Sequence, residues 1–166
     1  MKLRLIYLLA AIMLCTSLQA KTGTDIDSPA MQVLKSQKNS RILSGTKLKI
    51  ARPFIKKTPM GVILDDITTL VICNLENPSG SHADMLPQDA REMLKGYMPV
   101  REIDDERSRM SIYINEPQGN RFTEIVIYNS RPDASMMLFV GEFTEESLRK
   151  VGEASEEERK HLKKNN

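Results

Sequence analysis

The polar loop around His82 holds the first side chains whose types could do chemistry. Ser79, Ser81 and Asp84 are close neighbours of His82 in the sequence. A hydrolase of the serine type needs a hydroxyl, a base that activates it and a third group that orients the base. Such groups are brought together across a fold and seldom from sequence neighbours. The favoured interpretation is therefore a polar loop that leads into a helix, with a small hydrolase that uses His82 as the alternative.

Paired acidic residues are the second set that could do chemistry. Asp65 and Asp66 precede an apolar run, and residues 104–106 (Asp-Asp-Glu) fill a tight turn. Glycosidases place two carboxylates across a cleft, whereas adjacent acids in turns are typical of solvated charges. His161 stands in a charged tail, and two distant histidines with one strand cysteine make no zinc ligand set. We therefore predict no catalytic residue, no metal site and no bound cofactor.

A basic segment is the one feature that favours a binding function. Residues 28–64 carry eight basic residues and no acidic residue, whereas residues 65–166 carry 13 basic and 20 acidic residues. Lys and Arg near an anionic membrane surface each contribute about 1 kcal/mol to binding. The candidate contacts with such a lipid or glycolipid surface are Lys47, Lys49, Arg52, Lys56 and Lys57. The alternative is a solvated flank that lies along the acidic remainder of the domain.

The N-terminus has the order of a secretory signal. Lys2 and Arg4 precede ten consecutive apolar residues, 5–14, and a short polar region then ends at Ala20. The apolar run is shorter than the roughly 20 residues that cross a membrane as a helix, and no later run is longer. We therefore expect an exported protein, periplasmic or secreted, that begins at Lys21 and has no transmembrane span.

Lipid attachment at Cys15 is the alternative to cleavage after Ala20. Cys15 follows the apolar run, as a lipoprotein cysteine does, but Leu14 stands where a lipobox has Gly or Ala. Cleavage at Ala20 would remove two basic residues and leave 22 basic and 22 acidic ones. A neutral exported chain is not expected to bind nucleic acid. Cys73 would be its only cysteine, and its place in an apolar strand predicts a buried, inert thiol.

The chain divides into four parts by composition. After the signal we predict a flexible segment over 21–45, with one weak helix over 29–38 as an alternative. A single domain over 46–152 follows, and then a charged tail over 153–166 that is either a solvated helix or disordered. Within the domain we predict strands over 47–51, 67–75, 100–104, 110–114, 122–128 and 136–143. The predicted helices are a short one from Pro53 to Lys57, one over 87–95, and a C-terminal one capped by Thr144.

These elements predict an α+β fold. Short polar turns join the last four strands, which is typical of an antiparallel meander. The run 67–75 is apolar on both faces, so it is expected to be a central strand that is covered on both sides. We expect a mostly antiparallel sheet of about five to six strands, with helices on one face.

The same elements resemble a family of small exported proteins from Gram-negative bacteria, domain of unknown function 4252. The resemblance covers roughly residues 46–152 and depends on the 67–75 strand, on Gly96-Tyr97 at the end of a helix, on the strands 110–114 and 123–128, and on residues 138–143 (Leu-Phe-Val-Gly-Glu-Phe) before a helix. It implies export and this fold, and it implies no activity.

The sequence therefore favours an envelope-associated, non-catalytic binding or interaction module. Its expected partner is an envelope protein or an anionic lipid or glycolipid surface. A small periplasmic hydrolase and a periplasmic regulatory or assembly factor for a membrane system are the alternatives.

Overall fold

The computed structural model describes residues 28–75, 88–104, 109–131 and 134–164. Its helices are α1 (Pro29–Ser36), α2 (Gly45–Ile55), α3 (Gln88–Leu94) and α4 (Glu145–Lys164), with a 3-10 helix over Pro59–Asp66. Its strands are β1 (Ser40–Ser44), β2 (Ile67–Asn74), β3 (Tyr97–Asp104), β4 (Arg109–Asn115), β5 (Arg121–Arg131) and β6 (Ser135–Thr144). The predicted signal and the His82 loop lie outside the described residues.

The six strands of the described ranges form one sheet in the order β1-β2-β6-β5-β4-β3. Each neighbouring pair is antiparallel. Strands β3 to β6 are a meander, as the short turns between alternating runs predict. The α+β class and the predicted number of strands are confirmed.

Helices lie on both faces of the sheet, whereas we expected them on one. The face covered by α2, the 3-10 helix and α4, here called the α2 face, buries a cluster that includes Leu48, Ile63, Leu70, Ile125, Phe139, Phe143 and Val151. The face covered by α1 and α3, here called the α1 face, buries Met31, Leu34, Val71, Met93, Val126, Leu138 and Val140. Interior strands that are apolar on both sides need a covering layer on each side, and α1 supplies part of the second layer.

A β-bulge in β2 changes which side chains share a face. The pairing of β2 with β6 shifts between Ile67 and Thr69. Strict alternation places Ile67 on the same side as Val71, but the extra residue moves Ile67 into the cluster that contains Leu70 and Ile72. The strand is nevertheless buried on both faces, as its composition predicts.

The segment that we expected to be a flexible flank contributes α1 and β1 to the fold. The Ser28 Oγ accepts a hydrogen bond from the Met31 amide at 3.1 Å, and Pro29 occupies the first turn of α1, both favourable at a helix start. Ala30, Met31 and Leu34 are buried. The weak helix over 29–38 is thus the alternative that describes this part of the segment, and its few apolar residues suffice for a helix that docks on a sheet.

Residues 45–55 form one helix, which corrects two predictions, the strand over 47–51 and the helix that begins at Pro53. Leu48 and Ile50 alternate with lysines and so match the period of a strand. In the structure Leu48, Ala51 and Ile55 are buried at helical spacing, and Pro53 lies in the last turn of α2.

Helix α4 extends through the charged tail, so the helical alternative describes that segment. Thr144 and Ser147 cap it reciprocally, with the Thr144 amide donating to Ser147 Oγ at 3.2 Å and the Ser147 amide donating to Thr144 Oγ1 at 3.4 Å. Val151 packs in the core of the α2 face. Arg101 on β3 donates to Glu156 at 2.5 Å, which joins α4 to the far edge of the sheet.

Candidate interaction surface

The acidic candidates of the sequence do not form a paired site. Asp65 has a side chain that is 94% exposed and an ion pair with Arg52 at 3.1 Å. Asp66 is also exposed, and Asp104 lies at the end of β3, while residues 105–106 fall outside the described ranges. Within the part of the chain that the structure describes, no group of three or more His, Cys, Asp or Glu side chains is arranged to hold a metal ion.

A buried polar pair that sequence reasoning missed lies on the α1 face. The hydroxyl of Tyr97, at the start of β3, donates a hydrogen bond to the carboxylate side chain of Glu124 on β5. Glu124 is 2% exposed and its backbone amide donates to Asn115 Oδ1 at 2.9 Å. Burial and the hydrogen bond to Glu124 raise the pKa of Tyr97 well above its ordinary value, against the opposing effect of hydrogen bonds from Ser28 and the Ala30 amide.

This pair connects three elements rather than facing a substrate. Ser28 and Ala30 belong to the first turn of α1, Tyr97 to β3 and Glu124 to β5, so one buried cluster of polar groups fixes α1 against the sheet. Alternation places Glu124 on the same side of β5 as Val126, which is the α1 face. Because we expected helices on one face of the sheet only, this side of β5 was expected to face solvent, and the pair was missed.

Helix α2 arranges the basic candidates in two stripes. Lys49, Arg52 and Lys56 recur at i, i+3 and i+7, which places them on one side of the helix. Lys47, near the start of α2, and Lys57, in the turn that follows α2, lie on a second stripe. The remaining stripe, Leu48, Ala51 and Ile55, is buried against the sheet. The five candidates therefore lie along α2 and the turn after it, on two stripes that flank the buried one.

The four lysines and the arginine differ in their electrostatic surroundings. Arg52 donates to Asp65 at 3.1 Å and is half-buried, so part of its charge is balanced within the domain. Among the described residues none of the four lysines, Lys47, Lys49, Lys56 and Lys57, forms an ion pair. These lysines are the positive charges that α2 presents outward.

The fold divides the basic segment between the two faces of the sheet. Lys35 is in the last turn of α1, and Lys38 follows in the turn before β1. Helix α2 lies on the opposite face, because β1 passes between the two helices. The charge run of the sequence therefore becomes two separate groups, and the larger group is the one on α2.

Two exposed apolar side chains, Ile50 and Phe54, lie on α2 near the lysines. We had predicted the first in a strand and the second in a separate short helix. Ile50 is 49% exposed and Phe54 is 40% exposed. They lie four residues apart, on the stripe that has Lys47 at one end and Lys57 at the other. The outward side of α2 is thus basic and apolar together. Val62 on the following 3-10 helix is exposed as well.

Cys73 has the environment that the sequence predicted for it. The residue is 0% exposed and packs on the α1 face beside Val71 and Met136. Burial raises the pKa of its thiol. A thiol that stays protonated and out of contact with solvent is a poor nucleophile.

Comparisons with known proteins identify the family of the chain but no ligand. Over the described ranges, no helix combines the length and the apolar character that a membrane crossing demands. No curated protein and no solved structure matches the chain. Residues 25–151 match the family described as Domain of unknown function (DUF4252). The match begins before α1 and ends in α4, and so includes the segment that builds the second covering layer. The chain therefore belongs to the DUF4252 family.

Proposed function

We propose that this protein is an exported, envelope-associated binding module without catalytic activity, and that α2 binds a membrane surface rich in anionic phospholipid. The observation that carries the proposal is the group of four lysines on the outward side of α2 that have no acidic partner in the described residues. Phosphate groups of lipid headgroups are the complementary ligand in a cell envelope.

Export is supported by the order of the first 20 residues, a basic start, an apolar run and a short polar region. We expect the native protein recovered from fractionated cells to begin at Lys21. Intact mass spectrometry of that protein measures the processing directly. A chain that begins at an acylated Cys15 would instead indicate a lipid anchor, and an uncleaved chain in the cytoplasm would contradict export.

The free energy of membrane binding is expected to be a sum of small contributions from the individual lysines. Each lysine near an anionic surface contributes up to about 1 kcal/mol, and salt screens part of it. Four lysines therefore support reversible binding rather than permanent anchoring. Arg52 adds little to this attraction, because its charge is balanced by the ion pair with Asp65. The remainder of the domain is acidic, so only the α2 side is expected to approach the membrane.

Neutralising two of the α2 lysines is expected to weaken binding. We expect Lys49→Gln/Lys56→Gln to lower affinity for phosphatidylglycerol vesicles by about tenfold, because two charges are lost from the contact. Vesicle co-sedimentation measures the affinity, with protein that begins at Lys21 and so lacks Cys15 and any acyl chain on it. Binding of the unmodified protein should fall as salt is raised and should be weak on neutral phosphatidylcholine vesicles.

The matched control is Lys35→Gln/Lys38→Gln, which removes the same charge from the same basic segment but from the other side of the sheet. It should bind nearly as well as the unmodified protein. Equal losses in both double variants would show a dependence on net charge alone and would contradict a site on α2. No binding of the unmodified protein to anionic vesicles would reject the proposed function, and binding to one envelope protein instead would favour an assembly factor.

A further inference from the structure

The two exposed apolar side chains of α2 are not explained by packing within the domain. Leu48, Ala51 and Ile55 already supply the buried stripe of the helix. Ile50 and Phe54 lie on a flank of the helix beside this stripe and remain 49% and 40% exposed. Single exposed apolar residues are ordinary on protein surfaces. A bulky pair one helical turn apart, on a stripe that begins and ends in lysine, is the pattern of a helix that lies in a membrane interface.

The geometry points to α2 as an interfacial helix that inserts Phe54 and Ile50 into the boundary between headgroups and acyl chains of an anionic phospholipid bilayer. This inference rests on the proposed function and goes further, because surface charge alone requires no insertion. The occupant is set by charge complementarity: Lys47 and Lys57 lie at the two ends of the stripe that holds the apolar pair, so the apolar surface is presented together with groups that bind phosphate. A protein groove that accepted the pair would have to be acidic around an apolar centre.

The position of α2 in the fold permits this contact without rearrangement. The helix is the outer layer over one face of the sheet, and its buried stripe stays in the core while its outward stripes meet the lipid. Lysine side chains are long enough to reach headgroup phosphates while their stems lie along the apolar surface. Helix α1 and the opposite face of the sheet then point away from the membrane.

A single introduced tryptophan tests the insertion, because the chain has no tryptophan of its own. We expect Phe54→Trp to show a blue shift of its emission on phosphatidylglycerol vesicles and quenching by brominated acyl chains. The control is Val100→Trp on the edge strand β3, where an apolar side chain is 41% exposed far from α2. Its emission should stay unchanged when the same vesicles are added.

Removal of the apolar pair supplies the second measurement. We expect Ile50→Gln/Phe54→Gln to lower affinity for the vesicles by about tenfold and to abolish the part of the binding that persists at high salt. The matched variant Met98→Gln/Val100→Gln changes two side chains of similar exposure on β3 and should bind as the unmodified protein does. Circular dichroism confirms that each variant is folded.

The outcomes separate the two proposals. Vesicle binding without a blue shift in the Phe54→Trp variant, and without an effect of the glutamine pair, would overturn the insertion and leave the lysine contact standing. Absence of any binding to anionic vesicles would overturn both. A blue shift on vesicles that contain only phosphatidylcholine would contradict the requirement for anionic lipid.

Discussion

Gly141→Ala is expected to destabilise the protein by about 3 kcal/mol. Gly141 lies in β6, an interior strand, and faces the end of the 3-10 helix. A Cβ atom built there would lie 1.9 Å from the backbone oxygen of Asp66 and 3.0 Å from the ring of Phe143. The contact is with backbone, so no rotamer change can relieve it, and β6 is held by β2 on one side and β5 on the other. Urea denaturation measures the loss as a lower midpoint with an unchanged slope.

Gly96→Ala is the matched control for that prediction. Gly96 stands between α3 and β3, where an added Cβ would meet nothing within 4 Å, and its φ is not positive. Its free energy of unfolding should change by less than about 0.5 kcal/mol, with a small gain from the stiffer unfolded chain. If Gly141→Ala were as stable as Gly96→Ala, the close approach of β6 to the 3-10 helix would be contradicted.

Tyr97→Phe is expected to lower the free energy of unfolding by about 2 kcal/mol near neutral pH. The substitution keeps the ring and removes only the hydroxyl that donates to Glu124. Glu124 is then left in the core without this donor, and a buried carboxyl group that loses its partner is costly. Tyr113→Phe is the control, because Tyr113 is half-buried beside the same apolar cluster. It should cost less than about 0.5 kcal/mol.

The same pair predicts how stability depends on alkaline pH. The pKa of Tyr97 is raised in the folded protein by burial and by Glu124, whereas an unfolded tyrosine ionises near pH 10. The stabilisation is therefore fully present below about pH 10 and is lost as the pH rises toward the folded pKa, by about 1.4 kcal/mol per pH unit. Tyr97→Phe has no such proton to lose.

The difference in free energy of unfolding between the unmodified protein and Tyr97→Phe should therefore disappear at alkaline pH. Starting about 2 kcal/mol apart near neutral pH, the unmodified protein and Tyr97→Phe should reach similar stability by about pH 11.5. Urea titrations at a series of pH values give both curves, and every other ionisable group is common to the two chains. Parallel curves across this range would show that Tyr97 ionises as readily in the folded protein as in the unfolded one.

Regular alternation and turn chemistry made much of the fold predictable. The meander β3 to β6 follows from alternating runs separated by short polar turns, and the cap of α4 follows from Thr144 and the acidic first turn. What alternation could not show are the bulges, because one inserted residue leaves the composition of a strand unchanged. The bulges moved Ile67 and Phe122 to the α2 face. The position of such a shift is seen only in the pairing of the strand with its neighbour in the sheet.

The candidate surface was predictable in its charges but not in its shape. The basic residues of α2 were identified from the segregation of charge, which is a property of composition. Their helical arrangement was not, because Leu48 and Ile50 among lysines imitate a strand. Alternation in a strand over 47–51 places Ile50 on the same face as Leu48 and in a different element from Phe54, which concealed their exposed pair. The segment fits both the two-residue repeat of a strand and the 3.6-residue repeat of a helix, and the helix is the form that packs on the sheet.

The place of β2 between β1 and β6 has a consequence for the order of folding. Thr69 pairs with Val140, so β2 reaches its main partner only when a loop of about 70 residues closes, and that closure is slow. Before then β1 and β2 are a two-stranded ribbon, which is marginal in water, whereas β3 to β6 can pair through short turns. The C-terminal meander is therefore the expected nucleus, and the N-terminal helices dock onto it last.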